Sequence, residues 1–463
     1  MSMVKSARKA STPAWMLLLL ATILTGCQAP LPAATPSDPT ATPQEVVSLN
    51  TSGPAISPLL VGNNVWMYPD SRVWNISVKA GLKIMRIGGI AFDQSMPPNE
   101  MLRSWVDNIR KLGAEPMIQV SRFNGAEAAA AVVKYFNVEI KNPVRYWNIG
   151  NEPYCNKATD STATDVAGYI KPIATAMKAA DPTIKIFAPD ECYIEDYYYA
   201  LLSGDNGPAD ISGKVPGQNY YYIDGVSWHL YTGYPPENID IEHLATTGAA
   251  AFLDHIRKAR VLVDRANEAQ GRTGEAALQW GIGEFNSSDG QRVCSFENGQ
   301  MFAQVYGSIM KYGGTYGETW SLFENGGRCL GTDYSFVNAD MTPRPTFYHM
   351  QMIADNFSGN YLEGTSTVEA VRAFGAVDTQ SGRIAVMVLN VDAANGYGCT
   401  LRLDDANGPG ECRVNLPVGL PVEVQQAIGS QTTMVLIFDL QGKPVKSITY
   451  AKTDKSPHTT VLP

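Results

Sequence analysis

Short runs of apolar residues recur between residues 58 and 323, and most are followed by a longer stretch in which apolar positions return every three or four residues. The short runs fall at 58–66, 82–89, 114–122, 144–151, 184–190, 225–231, 277–286 and 318–323 and predict eight strands. The longer stretches predict helices at 100–112, 126–136, 166–180, 249–269 and 301–312, with another at 346–356 and weaker helical periods at 74–80 and 197–202. Such alternation implies a parallel sheet. Eight units within residues 51–358 fit an α/β fold of the (β/α)8 TIM barrel type. A doubly wound open sheet is the alternative, because eight strands alone do not establish closure.

After residue 359 the helical period disappears. Runs at 366–374, 383–391, 399–403, 422–426, 432–440 and 445–450 predict strands, joined by turns such as Gln380-Ser381-Gly382, Asn407-Gly408 and Gln441-Gly442. Residues 359–463 therefore read as a C-terminal antiparallel β-sandwich domain. Residues 45–49 are a candidate for one further strand of it.

The N-terminus reads as a processing signal. Lys5, Arg8 and Lys9 precede an apolar run at 14–24 that is short for a membrane-spanning helix. The run ends in Leu24-Thr25-Gly26-Cys27, which resembles the lipobox of bacterial lipoproteins, with residues 1–26 as the leader and Cys27 as the acylated first residue. Gln28 is not the aspartate associated with inner-membrane retention, so the expected address is the outer membrane or cell surface. Residues 27–50, rich in Pro, Ala, Thr and Ser, read as a tether.

Composition narrows the class further. Apolar residues at 44% and charged residues at 17% fit a packed enzyme rather than a disordered chain. A net charge of −9 without a basic patch argues against a nucleic-acid partner. Of seven cysteines, six remain if Cys27 carries lipid, an even number that suits an oxidising compartment. Cys155 and Cys192 follow the fourth and fifth strands, and Cys294 and Cys329 accompany the seventh and eighth. Consecutive C-terminal loops of a barrel are neighbours, so these two pairs are expected to close, with Cys399–Cys412 in a hairpin-like segment of the β domain.

Two glutamates carry the chemistry. Trp147-Asn148-Ile149-Gly150-Asn151-Glu152-Pro153 and Trp280-Gly281-Ile282-Gly283-Glu284-Phe285 each end an apolar run in a carboxylate. In a barrel both would stand on the C-terminal rim, where active sites are built. Taken singly, each fits a salt-bridge partner or a cap equally well. Paired carboxylates, one protonated and one ionised, are what cleavage of a glycosidic bond requires.

Asn151-Glu152-Pro153 resembles the acid/base signature of clan A glycoside hydrolases, retaining enzymes on a (β/α)8 barrel, and Gly283-Glu284-Phe285-Asn286 is similar to their nucleophile motif. Ser227-Trp228-His229-Leu230-Tyr231, Glu318-Thr319-Trp320-Ser321 and Arg86 match the clan's sixth-, eighth- and second-strand positions. Families 39, 44, 51 and 79 are nearest in character. Tyr154-Cys155 departs from the shorter run usual in family 39. The resemblance implies Glu284 as nucleophile with a low pKa favoured by Arg86 and Tyr231. It implies Glu152 as an acid/base that starts protonated, its pKa raised by partial burial and by the charge of Glu284. Asn151 would bind the sugar 2-hydroxyl, Trp320 would floor the subsite and His229 would orient Glu152 or the leaving group. The resemblance implies cleavage of an equatorial, most often β-glycosidic, bond in an oligo- or polysaccharide.

Several other residues carry two readings. Asn64 and Trp66 are either lining of the non-reducing side or a packed strand end. Asp190 and Glu191 form a second acid pair without matching flanks, and Arg122 and Asn124 are candidate contacts after the third strand. Glu324 and Arg328 either set specificity or pair with each other, and Tyr197-Tyr198-Tyr199 fits helix packing better than a sugar platform. Gly281-Ile282-Gly283 is only a fragment of a dinucleotide fingerprint. No His-Glu-x-x-His, Cys-x-x-Cys or Gly-x-Ser-x-Gly occurs, and the histidines at 229, 243, 255, 349 and 458 are scattered, so neither cofactor nor metal is expected. The expectation is an exported, lipid-anchored retaining glycoside hydrolase. A transglycosidase remodelling exopolysaccharide and a non-catalytic carbohydrate-binding lipoprotein are the alternatives.

Overall fold

The computed structural model describes residues 49–67, 69–153, 155, 162–194, 197–233, 238–288, 290–406 and 410–462. The leader, Cys27, the tether and candidate strand up to residue 48, Tyr154 and the Asn407-Gly408 turn lie outside the described residues.

Among the described residues eight parallel strands close a barrel in sequence order: β1 (Val61–Val65), β2 (Ile84–Ile87), β3 (Glu115–Val120), β4 (Tyr146–Ile149), β5 (Lys185–Glu191), β6 (Gly225–Thr232), β7 (Gln279–Ser287) and β8 (Gly317–Thr319). Pairing of β1 with both β2 and β8 completes the ring, so the sheet is not open. The strands read as predominantly apolar runs because helices cover them outside and side chains fill them inside. The helix Asn99–Lys111 shows how sequence sets that cover: Leu102, Trp105, Val106 and Ile109, at helical spacing, are its buried residues. Inside, Ile84, Met117, Phe187 and Tyr316 cluster as one apolar layer. One step further along their strands come Arg86, Gln119 and Glu318, all buried. Alternation along a strand thus sets a polar layer on an apolar one.

Two predicted elements of the barrel differ from those observed. The helix expected at 301–312 begins at Phe296, with Ser295 capping the backbone N–H of Asn298. Its first turns look too polar for a covered helix because they face the β domain. Glu297 Oε1 accepts hydrogen bonds from Gln431 (2.7 Å) and Lys452 (2.6 Å), and Gln300 donates to the Asn390 carbonyl at 3.0 Å. The strand expected at 318–323 stops at Thr319, and the Trp320–Ser321 peptide is cis.

The C-terminal domain packs two sheets against one apolar core. Its strands are β9 (Asn360–Glu363), β10 (Thr365–Ser366), β11 (Val371–Asp378), β12 (Arg383–Asn390), β13 (Tyr397–Arg402), β14 (Cys412–Asn415), β15 (Glu423–Ile428), β16 (Thr432–Asp439), β17 (Pro444–Ala451) and β18 (His458–Val461). One sheet runs β18-β17-β16-β12-β11-β9 and the other β10-β14-β13-β15. The hairpin expected around Cys399 and Cys412 is instead a parallel pair, β13 beside β14 with the two cysteines directly opposite. Residues 403–411 make too long a connection for the ~2–5-residue turn of a hairpin. The segment from Leu49 to Ile56, which the sequence pattern divides between tether and barrel, runs along the β domain. Leu49 packs on that domain's core, the Asn50 N–H donates to the Val418 carbonyl at 2.9 Å, and Ile56 donates to Gly359 at 2.8 Å.

Disulfides join Cys155 to Cys192, Cys294 to Cys329 and Cys399 to Cys412. The first two tie neighbouring loops at the C-terminal rim of the barrel.

Candidate active site

Glu284 reaches the barrel mouth through an irregularity in β7. Trp228 pairs with Ile282, but the next residue of β6, His229, pairs with Glu284, so Gly283 is an extra residue in the strand. Such a bulge re-aims the side chain that follows it. Only glycine fits there, since an added Cβ would lie 2.2 Å from Asp190 Oδ1. Glu152 is aimed differently. It follows β4 by three residues and holds φ at 44°, a left-handed conformation uncommon for a side-chain-bearing residue and found where surroundings enforce it. Its N–H donates to the Asp190 carbonyl at 2.7 Å, which fixes the loop.

The two glutamates meet. One oxygen of each, together with a His229 ring nitrogen, falls in a group of atoms all within 4.8 Å of one another. His229 Nδ1 is 2.8 Å from Glu152 Oε1 and 3.5 Å from Glu284 Oε2. Arg86 donates to Glu284 Oε1 at 2.8 Å, and the Tyr231 hydroxyl donates to Oε2 at 2.7 Å. Glu284 is 5% exposed, whereas the Glu152 side chain is 25% exposed, so one carboxylate is enclosed and the other faces the opening.

A buried polar network supports this pair. Arg86, wholly enclosed, also donates to Asn64 Oδ1 (2.9 Å), Gln119 Oε1 (2.9 Å) and Asn151 Oδ1 (2.7 Å), and lies 2.6 Å from Asp190 Oδ2. Burial opposes its charge, but Asp190, Glu284 and Glu318 outweigh burial and hold it protonated. His229 Nε2 lies 3.1 Å from Asp190 Oδ2. Burial lowers the His229 pKa, yet Glu284, Asp190 and Glu152 more than reverse this and push it up to about 10. Burial alone would raise the Asp190 carboxyl, but Arg86, His229 and Ser227 bring it well below the usual carboxylate range.

The low Glu284 pKa expected from the sequence is not found. Burial pushes this carboxyl above its ordinary value, His229 and Arg86 pull it back, and Glu152 adds to the rise. Desolvation outweighs the two cations. Burial, reinforced by Glu284, also raises the Tyr231 phenol, which keeps its proton for the bond to Glu284.

Other predicted residues are placed as follows. Asn64 is fully buried between Arg86 and the Gly283 carbonyl (2.8 Å), so it braces the bulge rather than lining the opening. Trp66 and Trp320 are partly exposed and stacked, centroids 5.9 Å apart at 20°. Gly89 lies against Trp320, where a Cβ would come within 2.6 Å of the indole. Asp190 is the shared counter-ion of Arg86 and His229 rather than half of a second acid pair, and Glu191 turns back to its neighbour's N–H at Cys192. Arg122 is buried 3.3 Å from Asp93, while Asn124 is exposed. Glu324 engages Trp66 and Tyr334, and Arg328 is exposed. Tyr198 packs as a helix residue, its hydroxyl donating to the Ser227 carbonyl at 2.7 Å.

Sequence reasoning missed Asp93 and Gln119. Asp93 accepts from the N–H groups of Asn151 (2.9 Å) and Arg122 (3.1 Å), tying the loop after β2 to those after β3 and β4. No motif marks it. Gln119 had a usable signal, as a polar residue inside the otherwise apolar run of β3.

The architecture has counterparts among solved structures. An α-L-arabinofuranosidase from Thermotoga maritima, solved with arabinose, superposes with a TM-score of 0.63 at 15% identity over 85% of this chain and 99% of that one. A family 51 α-L-arabinofuranosidase from Bifidobacterium longum gives 0.62 at 15% identity, covering 85% and 97%. A family 44 endoglucanase from Clostridium thermocellum gives 0.59 at 12%, covering 84% and 98%. At such identities the likeness is one of fold. No family model matches the chain, and no curated protein matches it.

Proposed function

We propose that this protein is a retaining glycoside hydrolase acting on an oligo- or polysaccharide, with Glu284 as nucleophile and Glu152 as acid/base. The observation that carries the reading is the approach of the two carboxylates, oxygen to oxygen within 4.8 Å, across the mouth of the barrel. Double displacement needs carboxyl groups about 5–5.5 Å apart, whereas inversion needs about 6.5–9.5 Å to admit a water. The chemistry named for proteins of the same fold, arabinofuranosidase and endoglucanase, supports it.

In the first half-reaction a Glu284 oxygen attacks the anomeric carbon while Glu152 gives its proton to the departing glycosidic oxygen. The products are a glycosyl ester on Glu284 and a free alcohol. In the second half-reaction Glu152 takes a proton from water, whose oxygen displaces Glu284 and restores the original anomeric configuration. Arg86 and Tyr231 hold both oxygens of Glu284 in line for attack. Asn151, its Oδ1 taken by Arg86, offers its amide nitrogen to a sugar hydroxyl. Trp320 and Trp66 give the ring an apolar face.

The Leu24-Thr25-Gly26-Cys27 motif supports export with a lipid on Cys27, and three disulfides suit an oxidising compartment. The test of function is a panel of nitrophenyl α-L-arabinofuranosides, β-D-xylosides and β-D-glucosides with plant and bacterial glycans. Wild type is expected to release sugar from at least one, and Glu284→Ala from none. Equal turnover by both proteins, or binding without turnover by either, contradicts the reading.

A further inference from the structure

One buried carboxylate near the mouth has no part in the acid pair. Glu324, 4% exposed, lies in the loop after β8. Its main chain is locked to Ser335, whose hydroxyl accepts from the Glu324 N–H at 2.8 Å and donates to the Glu324 carbonyl at 2.9 Å. Each carboxylate oxygen then takes one N–H: Oε2 that of the Trp66 indole at 2.9 Å, and Oε1 the backbone N–H of Tyr334 at 2.9 Å. Both facing groups only donate, so the anion satisfies both, whereas a protonated carboxyl would turn a hydrogen toward one of them. What these donors carry is the aromatic wall. Trp66 stacks on Trp320, and the ring of Tyr334 meets that of Tyr231 edge-on at 5.4 Å.

We propose that Glu324 is a positioning residue for the bound sugar ring: its carboxylate pins the Trp66 indole against Trp320, and so sets affinity rather than the rate of bond cleavage. This rests on the glycosidase reading above. Burial pushes the Glu324 pKa up, the N–H groups of Tyr334 and Trp66 lower it, and the charges of Asp333 and Glu284 add to the rise, leaving it at about 7. Asp333 is itself paired to Arg344 at 2.6 Å. The wall therefore holds firmly above neutrality and loosens as pH falls through it.

The test compares the full chain with Glu324→Gln and Trp66→Phe. On the best substrate of the panel, Glu324→Gln is expected to raise KM about tenfold, the worth of one hydrogen bond to a charged group, with kcat within about threefold. The wild-type rise of KM below about pH 7 should vanish in that variant. In the unliganded proteins, tryptophan fluorescence should titrate near pH 7 in wild type and in neither variant. A kcat loss matching the KM change, or a fluorescence titration that persists in Glu324→Gln, overturns the proposal. If no glycoside is turned over, the glycosidase reading fails on its own, and the fluorescence titration still decides whether Glu324 governs Trp66.

Discussion

His229 touches both members of the acid pair: its Nδ1 stands 2.8 Å from Glu152 and 3.5 Å from Glu284. One imidazole, fixed behind by Asp190, therefore sets the separation of two carboxylates that lie 132 positions apart in sequence. With its pKa pushed up to about 10 it is a cation at neutral pH, and its charge pulls the Glu284 carboxyl toward the anion against the effect of burial.

That raised pKa has a consequence for stability. The fold binds the His229 proton more tightly than the unfolded chain does, so the stabilisation is complete below about pH 6.5 and is lost as pH rises through about 10. Urea denaturation at pH 6.5 and pH 10 should show wild type losing more stability over that interval than His229→Asn. Equal losses would mean the histidine is neutral in the fold.

Arg86 answers Asp190 and Glu284 in a buried layer, its own side chain and that of Asp190 fully enclosed. Arg86→Met leaves buried carboxylates without their cation and is expected to cost about 3–5 kcal/mol, besides abolishing activity. Arg86→Lys keeps the charge but cannot span four acceptors and a carboxylate at once, so it should fold while losing most turnover. Chemical denaturation alongside kinetics checks both.

The bulge in β7 gives a sharper steric test. Gly283→Ala puts a methyl group 2.2 Å from Asp190 Oδ1, and the strand must shift to relieve it. A displacement of about 1 Å at Glu284 should lower kcat about 100-fold while disulfides and secondary structure persist. Circular dichroism with kinetics distinguishes this from unfolding.

Opening the Cys155–Cys192 bridge, which closes a separation of 37 residues beside Glu152, should cost about 4 kcal/mol by the chain-entropy account. Measuring denaturation of a Cys155→Ser/Cys192→Ser double variant checks this, and activity should fall with it because the loop carries Glu152.

Which features could be read in advance follows from how local their causes are. The eight barrel strands were legible because burial on both faces makes each a predominantly apolar run, and the rim cysteines followed from the order of the loops. The start of the helix at Phe296 was not, because its polar first turns are covered by Gln431 and Lys452, more than a hundred residues away. The short strands β9, β10, β14 and β18 carry too few residues to show a period. Glu152 and Glu284 stood out by their flanks, while the raised Glu284 pKa, the buried bracing role of Asn64 and the tie through Asp93 depend on contacts between loops that no local pattern encodes.

The central claim is a covalent glycosyl ester on Glu284, and trapping it is the most direct measurement. Wild type incubated with an activated 2-deoxy-2-fluoro glycoside of the configuration it hydrolyses, then digested and weighed by mass spectrometry, should carry one fluorosugar on the peptide containing Glu284. A label on another carboxylate, or turnover with inverted product and no label, would contradict the account.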